Sequence, residues 1–389
     1  MQRSDFTALI IICLLTMSAV ATVFMNQAIF LELASFFHTS TASARFSFSM
    51  VSLSYSVTFL FAGPCMDNCN LPKVSVWSSF CLAAVLLAAS FTGSYQGFVS
   101  CMIPIGVFAA LVPASMFPYI ATIAPDRKKG LYVGAIVASS TMGVIFGRVL
   151  SGIVTAIAGW SMAYITTSLL VLTLSLCMAF LVPSFRGSII KNKIPVLKMY
   201  KNLFLLLSGK RTIALLLLGA SLFFGFIGIV TFLSYRLNNA PFNFSSGQIG
   251  WISFTGITSL IAPVSGQLAA KFNIDKIIFY GLAAALAACF IVWKAISIPL
   301  ISIGLLLLFL SVYTCQPLIF MKVGDNVPAE SLGSASSLYI FFCIGGGSLA
   351  SIFLGPVWIA FGWTGIIIAC SSSIAVGLAL LIGSRIDFR

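Results

Sequence analysis

A single arginine lies in the middle of a long apolar stretch of this 389-residue chain. Arg148 belongs to the segment STMGVIFGRVLSGIV, residues 140–154, and no other charged residue lies within eighteen positions of it. A guanidinium keeps its charge when it is desolvated and presents five donors in a planar fork. The sequence therefore indicates either an ion pair inside the protein or a site for a ligand that is anionic or rich in acceptors.

Small residues accompany Arg148 at helical spacing. Gly143, Gly147 and Ser151 follow one another at intervals of four, which puts them on one stripe of a helix. Such a stripe lets two membrane helices approach closely. We therefore expect the helix that carries Arg148 to pack tightly against a neighbour.

Glu32 is the acidic residue that could pair with Arg148. In the membrane topology that the basic residues predict, the other seven Asp and Glu residues fall on the opposite side. Glu32 could pair with Arg148 or with Arg45, and the pair is either a static gate between helices or one that breaks when a proton or an anion arrives. We assign Glu32, Arg148 and Arg45 to proton coupling or to a gate.

Amide and aromatic side chains in other apolar segments could also contact a substrate. Asn26 and Gln27 lie in the outer half of the first segment, where a buried amide either ties helices together or forms a hydrogen bond with a substrate. Aromatic residues could line a cavity or simply pack between helices. Together with Arg148, the predicted substrate-binding residues are Asn26, Gln27, Phe223, Phe226, Tyr235, Tyr313 and Gln316.

The sequence carries no motif of catalysis or of cofactor binding. It has no phosphate-binding glycine loop that ends in Gly-Lys-Ser/Thr, so we predict that the protein is not an enzyme and uses no cofactor. Of the ten cysteines only Cys65 and Cys69 are close together, and with no histidine beside them we predict no metal site.

The chain that carries these residues is suited to a lipid bilayer. Hydrophobic residues make up 60% of it and charged residues 7%, whereas an ordinary soluble domain has about 25% charged residues. Twelve apolar runs are long enough to cross a membrane as helices, and a β-barrel would need short alternating segments instead. The predicted spans are 7–31, 44–65, 74–93, 97–123, 131–157, 161–183, 212–235, 248–270, 277–295, 298–321, 332–357 and 363–383.

Basic residues in the connections predict the orientation of the chain. With a cytoplasmic N-terminus, seventeen Lys and Arg residues fall on the inside, and Arg45, Arg236 and Lys294 fall on the outside or at helix rims. Both termini are therefore predicted to be cytoplasmic. The net charge of +13 then reflects topology and contact with anionic inner-leaflet lipids, with no role for nucleic acid. The alternative that Ser18–Ala21 ends a secretory signal would leave eleven spans.

A shift of 203 positions aligns the first half of the chain with the second. It maps six spans onto six, so both halves enter the membrane from the same side as a parallel repeat. We predict an N-terminal bundle (1–183), a cytoplasmic linker with an amphipathic helix (184–211) and a C-terminal bundle (212–389). The aligned pairs include Gly63 and Gly266, Lys73 and Lys276, Gly143 and Gly346, Gly152 and Gly355, Gly159 and Gly362, and Trp160 and Trp363.

Two six-helix halves joined by a basic loop resemble the major facilitator superfamily of secondary transporters over the whole chain. GPCMDNCNLPK (63–73) resembles its Gly-x-x-x-Asp loop, although Asn and Leu replace several of the usual basic and glycine positions. GVIFGRVLSG (143–152) resembles the helix-5 motif of drug/proton antiporters, and FLSYRLNNAPFNFSSGQIG (232–250) resembles a bacterial multidrug or sugar efflux branch. The resemblance assigns to conformational motifs Gly63, Asp67, Lys73, Gly143, Gly147 and Gly152.

The resemblance implies an all-α membrane protein with twelve transmembrane helices in two six-helix repeats, with helices 1, 4, 7 and 10 around a central cavity. It implies proton-coupled efflux of a small organic molecule by alternating access across a bacterial inner membrane, by a protein that we expect to be a monomer. Because an exporter of cations would hold carboxylates in its cavity, the residues favour neutral or anionic cargo. The alternatives are a transporter of an anionic metabolite or carboxylate-bearing siderophore, and a sensor or partner-binding protein without transport activity.

Overall fold

The computed structural model of the chain describes residues 3–66, 69–124, 129–181, 200, 203, 205–269, 271–327 and 332–386. Within these ranges all regular structure is helical. The first seven α-helices are α1 (Arg3–Phe24), α2 (Phe30–Phe36), α3 (Thr41–Cys65), α4 (Leu71–Ser90), α5 (Tyr95–Ile123), α6 (Lys129–Ala158) and α7 (Trp160–Leu181). The next six are α8 (Lys210–Asn238), α9 (Ser246–Ile252), α10 (Ala262–Ala269), α11 (Ile274–Lys294), α12 (Ile298–Asp325) and α13 (Leu332–Ile386).

Two predicted spans are interrupted by tighter helix. A 3-10 turn, Met25–Ala28, separates α1 from α2, and a longer 3-10 segment, Ser253–Ile261, separates α9 from α10. Neither break was predicted from the sequence, and the first has no proline or glycine to mark it. A mid-helix 3-10 stretch often marks a hinge.

Nine helices of the described chain are long and apolar enough to cross a membrane. The last of them, Ser334–Gly383, is 50 residues long and contains the last two predicted spans, since α13 turns at Gly362, where φ is 57°. The two other predicted spans coincide with α3 and with the interrupted helix at 246–269. The all-α fold with twelve helical segments is therefore confirmed.

The chain divides into two compact units. Unit 1 contains Met1–Val196 and Ser245–Trp251, and unit 2 contains Leu197–Phe244 and Ile252–Arg389. The predicted N-terminal bundle, 1–183, lies wholly in unit 1. Most of the linker, including the greater part of its predicted amphipathic helix, lies outside the described residues, so the boundaries at 184 and 211 stay a prediction.

The predicted small-residue stripe brings α6 against α1 in unit 1. A Cβ on Gly143 would lie 2.5 Å from the carbonyl oxygen of Met17, and one on Gly147 would lie 2.2 Å from that of Ala21. One turn further, Ser151 Oγ donates a hydrogen bond of 2.7 Å to the Met25 carbonyl. All three contacts join residues 126 positions apart, so the two helices run parallel in a fixed register.

Unit 2 repeats this crossing with α8 and α13. A Cβ on Gly346 would lie 2.5 Å from the carbonyl oxygen of Ala220, and a Cβ on Gly228 would lie 2.7 Å from Leu354 Cδ1. The shift of 203 positions relates these two contacts to the Gly143–Met17 and Ser151–Met25 contacts of unit 1. The internal repeat predicted from the sequence is thus present in individual contacts.

Candidate substrate and coupling site

Arg148 follows Gly147 on α6 and lies inside unit 1. Its side chain is only 3% exposed. Among the residues that the structure describes, its guanidinium forms no hydrogen bond or ion pair, and Nε is fully buried without a partner. A charged side chain within a membrane is costly unless it is paired or faces water. Arg148 is therefore a buried cation that lacks a counter-ion within the described part of unit 1.

The ion pair between Glu32 and Arg148, which the sequence allows, is absent from the structure. The contacts of α6 with α1 that fix their register extend to Ser151 and Met25. Glu32 lies seven positions further along the chain, in α2, beyond the 3-10 turn. Sequence alone could not exclude the pair, because it does not give which residues of α1 the glycines of α6 contact.

Glu32 and Arg45 both lie near the outer end that the predicted topology gives to unit 1. Glu32 Oε2 is buried and accepts no hydrogen bond, and Glu32 joins no ion pair with any described residue, Arg45 included. Arg45 lies in the second turn of α3 and is 6% exposed. Their roles in proton coupling or in a gate stay predictions.

Asn26 lies in the 3-10 turn between α1 and α2, and its amide is fully engaged within unit 1. Nδ2 donates to Ser47 Oγ at 3.0 Å and lies 3.4 Å from Met102 Sδ, while Oδ1 accepts from the Tyr164 hydroxyl at 2.5 Å. The amide therefore ties the turn to α3, α5 and α7, which favours the helix-tying alternative over substrate binding. Gln27, next to it, is 1% exposed.

Three predicted aromatic or polar site residues meet in unit 2. The ring of Phe226 stands at 86° to both Phe309 and Tyr313, with centroids 4.9 Å and 5.8 Å away, and Phe223 lies 6.1 Å from Phe226. Phe309, which sequence reasoning missed, is nearly parallel to Tyr313, one turn away on α12. Gln316, less than one turn beyond Tyr313, is half-buried, and its backbone carbonyl accepts a hydrogen bond of 2.8 Å from the Tyr339 hydroxyl.

Tyr235 belongs to a different aromatic group. Its ring stacks on Phe232 at 5.6 Å and lies 5.9 Å from Trp358. The aromatic candidates therefore form two clusters in unit 2, one around Phe226 and one around Tyr235. The partners Phe232 and Trp358 carried no signal in the sequence, because phenylalanine and tryptophan are ordinary packing residues in a chain this apolar.

Residues 10–352 match the Major Facilitator Superfamily. The chain belongs to this family. It is 27% identical over 334 residues to an uncharacterized transporter of Buchnera aphidicola subsp. Schizaphis graminum, covering 84% of this chain and 79% of that protein. It is 25% identical over 376 residues to the uncharacterized transporter YgaY of Escherichia coli O157:H7, covering 95% of this chain and 93% of that one.

A solved transporter structure shares the fold. The chain matches the crystal structure of a bacterial homolog of the human lysosomal transporter Spinster, in an inward-facing and occupied conformation, with a TM-score of 0.76 at 11% identity. The match covers 100% of this chain and 98% of the other. The family match over residues 10–352, together with the membrane-spanning helices, shows a multi-pass membrane transporter of this superfamily, which implies a small-molecule substrate.

The residues assigned to superfamily motifs fall in three places. Gly152 lies where α6 meets α9 within unit 1, since a Cβ there would lie 2.6 Å from the Ser246 carbonyl oxygen. Gly63 lies in the last turn of α3, and exposed Lys73 lies in the first turn of α4, where its backbone amide donates to the capping side chain of Asn70. Asp67 lies outside the described residues, so its predicted role is not examined by the structure.

Cys65 is the last residue of α3, and Cys69 follows it in the connection to α4. Burial, followed by the charge of neighbouring Cys65, raises the pKa of the Cys69 thiol. A raised pKa keeps the thiol protonated, and the thiolate is the metal-binding form. In the described ranges no three Cys, His, Asp or Glu side chains come together as a metal site.

Proposed function

We propose that this transporter is a secondary active carrier that exports a small anionic or acceptor-rich organic molecule by alternating access, coupled to protons. The observation that carries the cargo class is Arg148, a buried guanidinium in a membrane-spanning helix that makes no hydrogen bond or ion pair with the described residues. A carboxylate or similar oxyanion on the cargo matches the planar fork of the guanidinium and supplies the missing negative charge.

Substitution of Arg148 tests the cargo class directly. In proteoliposomes, flux is measured for sets of cationic, neutral and anionic compounds with wild type, Arg148→Lys and Arg148→Ala. We expect anionic compounds to be carried, and their affinity to fall about tenfold or more in Arg148→Ala, because hydrogen bonds to a charged group contribute about 1.5–3 kcal/mol. Arg148→Lys keeps the positive charge but loses the planar fork of donors, so its affinity for anions should lie between those of wild type and Arg148→Ala.

The matched control is Ser351→Ala, at the position of unit 2 that the repeat aligns with Arg148. It should leave the flux of every compound set unchanged. If Arg148→Ala carries anions with wild-type affinity, or if only cations are carried, the proposed cargo class is wrong. Comparing right-side-out with inside-out vesicles separates export from the alternative, uptake of an anionic metabolite.

Glu32 is the residue we propose for proton coupling. Support comes from its buried Oε2, which accepts no hydrogen bond, and from the absence of an ion pair between Glu32 and any described residue, which leaves the carboxyl group available for a proton. Glu32→Gln should abolish the dependence of transport on a pH gradient while exchange of cargo continues. Gradient-driven transport that persists unchanged in Glu32→Gln would assign coupling to another group.

We further propose that the protein lies in the bacterial inner membrane with both termini in the cytoplasm. The excess of basic residues in the predicted inner segments supports this orientation. A single cysteine at position 198, in the linker, should be protected from an impermeant maleimide in intact cells and should react after the cells are opened. Reaction in intact cells would overturn the orientation.

A further inference from the structure

The side chain of Arg148 is buried in unit 1 without a counter-ion among the described residues. Its backbone lies at a close helix crossing, where the Cβ position of Gly250 on α9 is 3.2 Å from the Arg148 carbonyl oxygen. Glu32 forms no ion pair with it. The positive charge of Arg148 therefore has no internal partner among the described residues of the unit.

A carrier that works by alternating access must pass through a state in which its site is closed to water on both sides. A guanidinium that is desolvated and unpaired is unfavourable in that state, whereas a guanidinium bound to an oxyanion is neutralised and has its donors satisfied. The loaded carrier should therefore cross this state more readily than the empty carrier.

We propose that the protein is an anion exchanger at Arg148: it releases one oxyanion and returns at an appreciable rate only when it has bound another from the opposite side. This rests on the proposed function, in which Arg148 is the anion anchor. The second anion is any small carboxylate or phosphate that the guanidinium fork can hold.

A proton on Glu32 does not replace the returning anion. Protonation neutralises the carboxylate of Glu32, but it leaves the charge of Arg148 unpaired and so does not ease the return of the empty carrier. Proton-coupled export therefore also needs a returning anion: the carrier exports its cargo and returns with a second anion on Arg148, and the proton on Glu32 accompanies that return.

The experiment begins with the choice of a probe. The purified full-length transporter is heated with the sodium salts of acetate, benzoate, succinate, citrate or phosphate, and the salt that raises the unfolding temperature of wild type but not of Arg148→Gln is selected. If no salt does so, the anion anchor, and with it the proposed function, is overturned.

The selected probe, radiolabelled, is then loaded into proteoliposomes held at zero membrane potential with potassium and valinomycin. Its efflux is measured into buffer that contains the same unlabelled salt and into buffer in which potassium HEPES and sucrose replace that salt, with the same potassium concentration inside and outside in both cases. We expect exchange to be about tenfold or more faster than net efflux in wild type and in Ser351→Ala, since the unloaded state is the disfavoured one. Arg148→Lys should keep this difference at lower affinity.

The outcomes distinguish anion exchange from the proposed function, in which Arg148 anchors the anion. Equal rates of exchange and net efflux, with binding that still depends on Arg148, overturn exchange but leave the anion anchor intact. Binding that does not depend on Arg148 overturns both. Exchange that is faster by the expected factor, with the Arg148→Lys result above, supports the proposal.

Discussion

The crossing of α1 with α6 in unit 1 and the crossing of α8 with α13 in unit 2 are built on the same positions of the repeat. Gly143 and Gly346 each bring their helix against a backbone carbonyl, that of Met17 in one unit and that of Ala220 in the other. These contacts are set by backbone approach, which explains why glycine occurs in both. The shared contacts belong to the fold.

The side chains around the two crossings differ in kind. Unit 1 has Asn26, Glu32, Arg148 and Tyr164 where the shift of 203 positions gives unit 2 Ile229, Tyr235, Ser351 and Ile367. Unit 2 instead has its aromatic cluster around Phe226. The comparison teaches that the repeat fixes the backbone contacts of the two crossings but not the charge or polarity of the side chains at these aligned positions.

Transfer of the arginine to unit 2 should have the largest effect. Ser351 is 1% exposed, and Ser351→Arg would bury a guanidinium in a neutral, closely packed crossing. We expect a loss of about 2.5–3.5 kcal/mol, the cost of an arginine at the centre of a membrane helix. The loss of stability is measured by the yield of monodisperse protein in fluorescence-detected size-exclusion chromatography. Ser351→Ala is the control. Wild-type yield would mean that the two crossings accept charge equally.

The shared glycine contacts should be the next most sensitive feature. Gly147→Ala and Gly346→Ala each push a methyl group against a carbonyl oxygen, at 2.2 Å and 2.5 Å before any movement. We expect each to lower the free energy of unfolding by about 1–3 kcal/mol, as overpacking does. Gly383→Ala, where no atom lies within 4 Å of the added carbon, is the matched control in a helix. Equal unfolding temperatures for all three variants would contradict tight crossing.

The amide of Asn26 gives a smaller effect that only unit 1 should show. Tyr164→Phe removes the donor to Asn26 Oδ1 and leaves a buried oxygen unpaired, at a cost of about 1–2 kcal/mol. In a double-mutant cycle with Asn26→Leu, thermal unfolding should show losses that are clearly less than additive. Strict additivity would mean that the hydrogen bond does not contribute to stability.

The smallest effect concerns Arg236 and Trp363, the tryptophan that follows Gly362 at the turn of α13. Trp363 lies 4.9 Å below the Arg236 guanidinium, which also donates to the carbonyls of Val292 and Ala295 at the end of α11. Arg236→Gln should cost about 1 kcal/mol, since a half-buried cation at a helix C-terminus contributes about that much. Unit 1 has Leu33 at this position, and Leu33→Met is the control for thermal unfolding. A loss no larger than that of the control would make the cation dispensable.

Local patterns in the sequence predicted much of the fold. Apolar runs located all twelve helical segments, and glycine spacing predicted the close contact that Gly147 makes with Ala21. These predictions succeed because hydropathy and small-residue stripes are read along one helix. The 3-10 turn at Met25–Ala28 was missed, since it is held by partners on other helices, such as Ser151.

The site was less predictable because its contacts join distant positions. Arg148 was expected inside the protein and is buried, but it forms no ion pair with Glu32, one of its two expected roles, because the meeting of α1 and α6 is set by contacts between distant positions. Tyr164, 138 positions from Asn26, provides the hydrogen bond that engages the amide, and nothing near either residue signals the pairing.

Gly159 and Gly362 occupy equivalent places in the repeat and have φ values of 87° and 57°. Neither has any atom within 4 Å of the position where a Cβ would lie. At both positions a side chain would have room. Replacement is disfavoured there because the positive φ would strain the backbone of any residue that has a Cβ. If the two units arose by duplication of one six-helix unit, selection against this strain would have kept glycine at both positions while Arg148 and Ser351 diverged.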